Sequence, residues 1–203
     1  VNIAVGSNLM DQKWAADLMR LNKSFIIPRS GSSKREIYRS LNLVSEFILN
    51  KVEVENESIW IAQREGRAKD GKDLTDPAIL KMIHLVKRKE RSISNFFNQM
   101  RVVPVSISYE FDPNDLNKAK EVYEAEVNGY YQKKENEDLE SISRGISGFK
   151  GSVVLNIGNV MNFKSDSYED VAVQITNEIS NQFHNHSTNK DALSILNEDL
   201  KLE

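Results

Sequence analysis

The stretch with the clearest chemical content is Ile59-Trp60-Ile61-Ala62-Gln63-Arg64-Glu65-Gly66-Arg67-Ala68-Lys69-Asp70-Gly71. An apolar run ends abruptly in a turn carrying one glutamate, a glycine and three cations, which is how α/β folds present polar groups at the carboxyl end of a strand. Arg64 and Arg67 bring forked donors, Lys69 adds a further charge, and Gly66 permits close backbone approach, so such a turn can hold a phosphate. The competing reading is a solvated turn whose charges pair with one another. Composition alone does not separate the two.

Two further stretches have the same character. Asn22-Lys23-Ser24-Phe25-Ile26-Ile27-Pro28-Arg29 is an apolar strand that ends in an arginine and leads into Ser30-Gly31-Ser32. Arg29 sits beside the first cationic turn if the two strands are neighbours; taken by itself it reads as an ordinary arginine at a strand end. Val102-Val103-Pro104-Val105-Ser106-Ile107-Ser108-Tyr109-Glu110 places Pro104 in a strand-like run. Proline removes a ladder donor and therefore belongs at a strand start, edge or bulge.

The elements that must position these residues are short strands alternating with helical periodicity, the pattern of a βα-layered sheet with crossover helices. Strands are expected at 2–5, 24–28, 58–63, 102–109 and 152–157. Ser33-Lys34-Arg35-Glu36 matches a capping box, and Ile37, Leu41, Val44 and Ile48 follow on one face, so a helix over 33–50 should pack on the sheet. A second helix is expected over 75–86, with Pro77 tolerable in its first turn and Leu80, Ile83 and Leu85 available for burial. After it comes the exposed run Lys87-Arg88-Lys89-Glu90-Arg91. Residues 113–145 read as helical in pieces, and Tyr168, Val171, Ile175 and Ile179 form a last helical stripe. The fold class expected is α/β, with a mixed, largely parallel central sheet flanked by helices in a single layered domain over residues 1–203.

Composition narrows the chemistry. The chain has 203 residues, 39% hydrophobic and 28% charged, with 4 Pro and 9 Gly, which describes one globular domain rather than a low-complexity chain. Without cysteine there is no disulfide scaffold, no thiol nucleophile and no thiolate metal site. No apolar run approaches the roughly 18 residues that span a bilayer, so any membrane contact is expected to be peripheral. The net charge of −3 is unevenly placed: residues 1–105 carry 18 Lys+Arg against 12 Asp+Glu, and residues 106–203 carry 9 against 18. The first half therefore favours anions, and a small phosphorylated substrate or an anionic lipid surface suits it better than nucleic acid, for which no recognised motif is present. Asp70, Asp73 and Asp76 recur every three residues, but a solvated loop accounts for them and no metal is expected.

Taken in order, these stretches resemble the bacterial glycerolipid acyltransferases, the glycerol-3-phosphate and 1-acylglycerol-3-phosphate O-acyltransferases. The resemblance runs through Ala4-Val5-Gly6-Ser7-Asn8-Leu9, the Phe-Ile-x-x-Arg block ending at Arg29, and the Glu-Gly-x-x-Lys block at Glu65–Lys69. It continues through Asp76-Pro77, Val103-Pro104-Val105-Ser106-Ile107 and Val153-Val154-Leu155-Asn156-Ile157-Gly158. It implies that Arg29 and the turn holding Arg64, Glu65, Gly66, Arg67 and Lys69 bind the phosphate of a glycerol phosphate or lysophospholipid acceptor. Pro104 would shape the side that takes the acyl thioester, acyl-CoA or acyl carrier protein. No cofactor is implied, and the location implied is cytoplasmic, peripheral to the inner membrane face. The commoner family turn has Pro before the Glu and Gly-Thr-Arg-Ser after it, whereas here Arg64 precedes Glu65 and Arg67 comes one position early.

Members of that family carry Asn-His-x-x-x-x-Asp ahead of the first block, the His acting as general base on the acceptor hydroxyl and the Asp orienting it. The catalytic pair is therefore expected upstream of Val1, and a first residue that is not Met fits a truncated or processed start. Asn185-His186-Ser187-Thr188-Asn189-Lys190-Asp191 matches the motif literally but in the wrong order, and is read as coincidence. His84 and His184 have no carboxylate at useful spacing. Trp14, Phe96, Phe97 and Phe149 could line an acyl tunnel, with core packing the better reading for most of them. The alternatives are a catalytically incomplete module that binds anionic lipid or a protein partner and, more weakly, a nucleotide-binding domain, for which neither a Rossmann fingerprint nor a P-loop is present.

Overall fold

The computed structural model describes residues 1–7, 13–28, 33–64, 66, 68, 69, 71–134 and 137–199. The chain is of the α/β class and divides into two compact units. Val1–Gly66, Leu74–Val103 and Val160–Thr176 form the first, and Arg67–Asp73, Pro104–Asn159 and Asn177–Glu203 form the second.

The first unit is built on three parallel strands, β1 (Asn2–Gly6), β2 (Ser24–Ile27) and β3 (Ile59–Trp60), in the order β2-β1-β3. Register runs from Ile3 opposite Ser24 to Gly6 opposite Ile27 on one side, and Asn2 and Ile3 face Ile59 and Trp60 on the other. Helix α1 (Lys13–Leu21) connects β1 to β2. Helix α2 (Lys34–Leu49) and a π-helical turn at Asn50–Val54 carry the chain across β1 to β3. The Ser33 hydroxyl accepts from the Glu36 amide at 3.2 Å, the cap expected from the sequence. Val44 and Ile48 on α2 are buried with Met82, and Phe25 and Ile27 of β2 and Ile59 beside Ile61 at β3 pack against them. An apolar stripe at helical spacing thus covers one face of the parallel sheet.

Two expected elements are shorter than their hydrophobic patterns. β3 stops at Trp60 rather than Gln63, and the Gln63 carbonyl instead accepts from the Asp76 amide at 2.8 Å, which draws the chain away from β1. Helix α3 (Pro77–Ile83) begins where Asp76 caps the Ala78 amide, with Pro77 in its first turn. It ends before Val86 because the fully buried Ser45 of α2 intervenes. The Ser45 hydroxyl donates to the Ile83 carbonyl at 2.8 Å and accepts from the Val86 amide at 3.3 Å, taking groups that another helical turn would have used.

Beyond α3 an aromatic cluster closes the unit. Helix α4 (Ile93–Met100), capped by the Ser92 hydroxyl, buries Phe96 and Phe97 almost completely. These rings meet edge to face at 5.2 Å, and Phe97 meets Phe163 at 6.2 Å. The Asn98 side chain holds both backbone groups of Phe163, at 3.0 and 2.8 Å. His84 lies within the cluster at 1% exposure, its ring 4.5 Å from that of Phe96. Its Nε2 is 3.1 Å from the Arg91 carbonyl, an obligate acceptor, so Nε2 carries the proton and Nδ1 accepts from the Tyr168 hydroxyl at 2.8 Å.

That arrangement suits a neutral imidazole. Burial lowers the His84 pKa below its ordinary value, the Arg91 carbonyl opposes the shift, and the Arg91 charge adds to it. Folding favours the unprotonated ring. Its contribution to stability is complete above the ordinary histidine value of about 6.5 and is lost as the pH falls through the folded-state value beneath it. The fall in melting temperature as the pH drops from about 6.5 towards the lower folded-state value is expected to be shallower in His84→Gln than in the native chain. Parallel curves would remove His84 from the account of acid lability.

The second unit contains β4 (Val105–Tyr109) paired antiparallel with β5 (Val153–Ile157), together with α5 (Asp115–Asn128), α6 (Glu137–Ser147) and α8 (Ser187–Asp199). Helix α7 (Tyr168–Asn181) begins in the first unit and ends in this one. β4 starts at Val105 rather than at Val102, because Pro104 has no amide proton for the ladder. Among the described residues the strands form two sheets, one three-stranded and parallel and one two-stranded and antiparallel. The ribbon is amphipathic in reverse: Ser106 and Ser108 are buried, and Val105, Ile107 and Tyr109 face Ile157, Leu155 and Val153 across the more accessible side.

Candidate functional site

Parallel strands put their carboxyl ends on one edge, so the segments that follow β1, β2 and β3 leave the sheet from the same side. The chain moves outward from β1 to β2, then returns across β1 to β3. Strand order therefore reverses between β1 and β3, the place at which open α/β sheets leave a crevice for ligands. Gly6 and Ser7 end β1 at this edge, and the cationic turn begins a few residues beyond Trp60.

The base of that turn is pinned. Besides the bond between the Gln63 carbonyl and the Asp76 amide, the Thr75 hydroxyl donates to Gln63 Oε1 at 3.2 Å and the Thr75 amide donates to Thr176 Oγ1 at 2.8 Å. Asp76 in turn caps α3. These bonds hold Gln63 beside Thr75 and Asp76. A cavity of about 300 Å³ opens here, lined by Arg64, Leu74, Thr75 and Asp76. Arg64 is half-buried and makes no ion pair or hydrogen bond among the described residues. Gly66 adopts φ +85°, a left-handed conformation that L side chains rarely take, and a Cβ there would meet nothing within 4 Å. The glycine is required by the shape of the backbone, not by a close neighbour.

The remaining residues singled out in the sequence fall in several places. Arg29, Glu65, Arg67 and Asp70 lie outside the described residues. The Lys69 ammonium is held by the Glu121 carboxylate of α5, within the second unit, and that carboxylate is almost buried. Pro104 is buried directly before β4, its carbonyl accepts from the Gly158 amide at 2.9 Å, and a Cβ on Gly158 would lie 2.9 Å from the proline ring. Gln63, Thr75 and Thr176, which fix the turn, were not singled out; the signal that could have found Thr75 is the Asp76-Pro77 helix start immediately after it.

The histidines are occupied otherwise. His186 opens α8: its carbonyl accepts from the Asn189 and Lys190 amides, and its own amide donates to Asn189 Oδ1 at 3.2 Å. Its buried ring packs at 4.6 Å against that of His184 and places Nε2 3.4 Å from the Ser108 carbonyl. Asn185–Asp191 is thus a helix start. Among the described residues no histidine pairs with a carboxylate, no cluster of three potential metal ligands occurs, and no helix is long and apolar enough to cross a membrane.

The first unit accordingly holds a three-stranded parallel sheet, and after its third strand come Gln63, bonded to Thr75 and Asp76, and Arg64, which lines a cavity with Leu74, Thr75 and Asp76. Compared with models of protein families, with curated proteins and with solved structures, the chain finds no match.

Proposed function

We propose that the chain belongs to an O-acyltransferase that moves a fatty acyl group from a thioester, acyl-CoA or acyl carrier protein, to glycerol 3-phosphate or 1-acylglycerol 3-phosphate. The observation that carries this reading is Arg64, without an ion pair or hydrogen bond among the described residues, lining a cavity with Leu74, Thr75 and Asp76 after the third parallel strand. Six sequence blocks resembling the glycerolipid acyltransferases, in the family's order, support it. In this reading β2-β1-β3 supplies part of a largely parallel central sheet. Arg64, Arg67 and Arg29 hold the acceptor phosphate, with Glu65 and the Gly66 backbone shaping the turn. Lys69 contributes only where a phosphate draws it from Glu121, and Pro104 borders the thioester.

The reaction needs no covalent enzyme intermediate. A base takes the acceptor hydroxyl proton as the oxygen attacks the thioester carbonyl, and the thiolate leaves and collects a proton. Holding two substrates at near-attack distance accounts for much of the acceleration in such a transfer. The base is not assigned to His84, His184 or His186, whose rings are engaged elsewhere. That engagement favours, as a second reading, a module that binds phospholipid without turning over a thioester.

Thiol release from acyl-CoA, followed with glycerol 3-phosphate, 1-acylglycerol 3-phosphate and glycerol as acceptors, separates these readings. The expected result is saturable turnover or, at minimum, saturable binding with the two phosphorylated acceptors and none with glycerol. Equal behaviour of all three would overturn the phosphate assignment. Binding without turnover would favour the second reading.

A further inference from the structure

The ribbon of β4 and β5 is held with its polar face inward. Ser106 and Ser108 are buried, the Ser106 hydroxyl donates to the Gln182 carbonyl at 3.1 Å, and the Asn156 side-chain amide donates to the same oxygen at 2.5 Å. His186 Nε2 lies 3.4 Å from the Ser108 carbonyl. All of these residues belong to the second unit. Side chains alternate across a strand, so anchoring the serines and Asn156 inward commits the residues between them to the opposite face. A slip of register by one residue would exchange the faces and break the side-chain bonds to Gln182.

The opposite face is apolar along its length. Its rungs are Val105 opposite Ile157, Ile107 opposite Leu155 and Tyr109 opposite Val153, and no charged residue stands in them. Beyond the last rung the rings of Phe111 and Phe149 stack at 5.7 Å. Apart from the half-buried Val105, these residues are between 40% and 78% exposed. Together they leave apolar surface on the order of 600 Å² open, at the upper end of the roughly 300–600 Å² that the largest patch on a monomer covers.

We propose that this face packs on the same face of a second copy of the chain, in a dimer with two-fold symmetry. The occupant must be apolar, because the rungs offer no charge to draw a charged surface of either sign. A second copy supplies a strip of matching composition and length, and a two-fold axis sets the patch against its own equivalent. The area suffices: a standard interface takes roughly 800 Å² from each partner, and the open apolar surface supplies most of it. Two such faces pack about 10 Å apart with their side chains interdigitated. With the rung of Ile107 and Leu155 at the centre, aliphatic side chains fill the middle, and Phe111 and Phe149 fall at the rim. The inference does not depend on the acyltransferase reading, in which none of these residues takes part.

The test is sedimentation equilibrium of the full chain over a wide range of protein and salt concentration. The native chain is expected to follow a reversible equilibrium between monomer and dimer, and added salt should not dissociate it, because apolar burial is not screened. Leu155→Glu puts a charge in the middle of the interface twice over, once from each copy, and should weaken association by about a hundredfold or more. Ile107→Ser is a milder variant of the same rung and should weaken it by about tenfold. Leu116→Glu, at an exposed leucine of α5 in the same unit, should leave association unchanged. Circular dichroism and the melting temperature check that the variants are folded. A native chain that stays monomeric at every concentration would overturn the proposal, whatever else it binds. So would a dimer that persists unweakened in a folded Leu155→Glu or Ile107→Ser variant, a dimer that salt dissociates, or growth beyond the dimer into open-ended assemblies.

Discussion

Replacing Phe97 with alanine is expected to lower the free energy of unfolding by about 3–5 kcal/mol, the range for deleting a buried aromatic ring. Phe97 is 1% exposed and meets His84, Phe96 and Phe163, so its removal leaves a hole among rings that cannot collapse without moving α4. The loss is read from the urea midpoint, with the slope checked for unchanged cooperativity. Phe149→Ala is the informative contrast. That ring is 78% exposed and stacks only on Phe111 at 5.7 Å, so its removal should cost less than about 1 kcal/mol. Similar losses for the two variants would mean that the aromatic cluster does not hold the first unit together.

The second large effect concerns the acceptor. Removing one cation from a charge-assisted phosphate contact costs about 1.5–3 kcal/mol, or roughly ten- to a hundredfold in affinity. Arg64→Ala and Arg67→Ala are each expected to raise the KM for glycerol 3-phosphate by that factor, with a smaller effect on the KM for the acyl thioester. Arg29→Ala should behave alike if its strand end contributes to the same phosphate. Lys69→Ala should do less to the acceptor and more to stability, because its ammonium is engaged by Glu121. Unchanged acceptor kinetics in Arg64→Ala and Arg67→Ala would remove the assigned roles, whatever the fate of Lys69.

Local signals in the sequence located most of the elements around this site. The Ser33–Glu36 cap and the stripe through Val44 and Ile48 place α2 where it is found, because both depend on neighbours within a turn or two. Asp76-Pro77 marks the start of α3, and Tyr168, Val171, Ile175 and Ile179 mark α7. The ends of elements were less legible. Nothing near Val86 announces that α3 must stop before it; the cause is the hydroxyl of Ser45, far away along the chain. Nothing in Ile59–Gln63 shows that Gln63 will bond to Asp76 in place of a strand.

The short helices α1 and α4 carry too few turns for periodicity to separate them from loops, and α8 is opened by a polar cap in a stretch that resembled a catalytic motif. The reversed ribbon of β4 and β5 shows the limit of patterning. Alternation gives a strand and its two faces, but which face turns inward is decided by what packs there. The candidate site was legible as a type of turn. The bonds that fix Gln63 and Thr75 at its base were not, because Thr75 and Thr176 meet only through the fold.

The most direct test of the central claim, that the carboxyl edge of the parallel sheet receives the phosphate, is a backbone amide NMR titration with glycerol 3-phosphate. The account predicts saturable shifts at Ser7, Gly66, Ala68 and Thr75, abolished by Arg64→Ala and absent when glycerol is titrated instead. Shifts confined to other segments, or identical in Arg64→Ala, would contradict it.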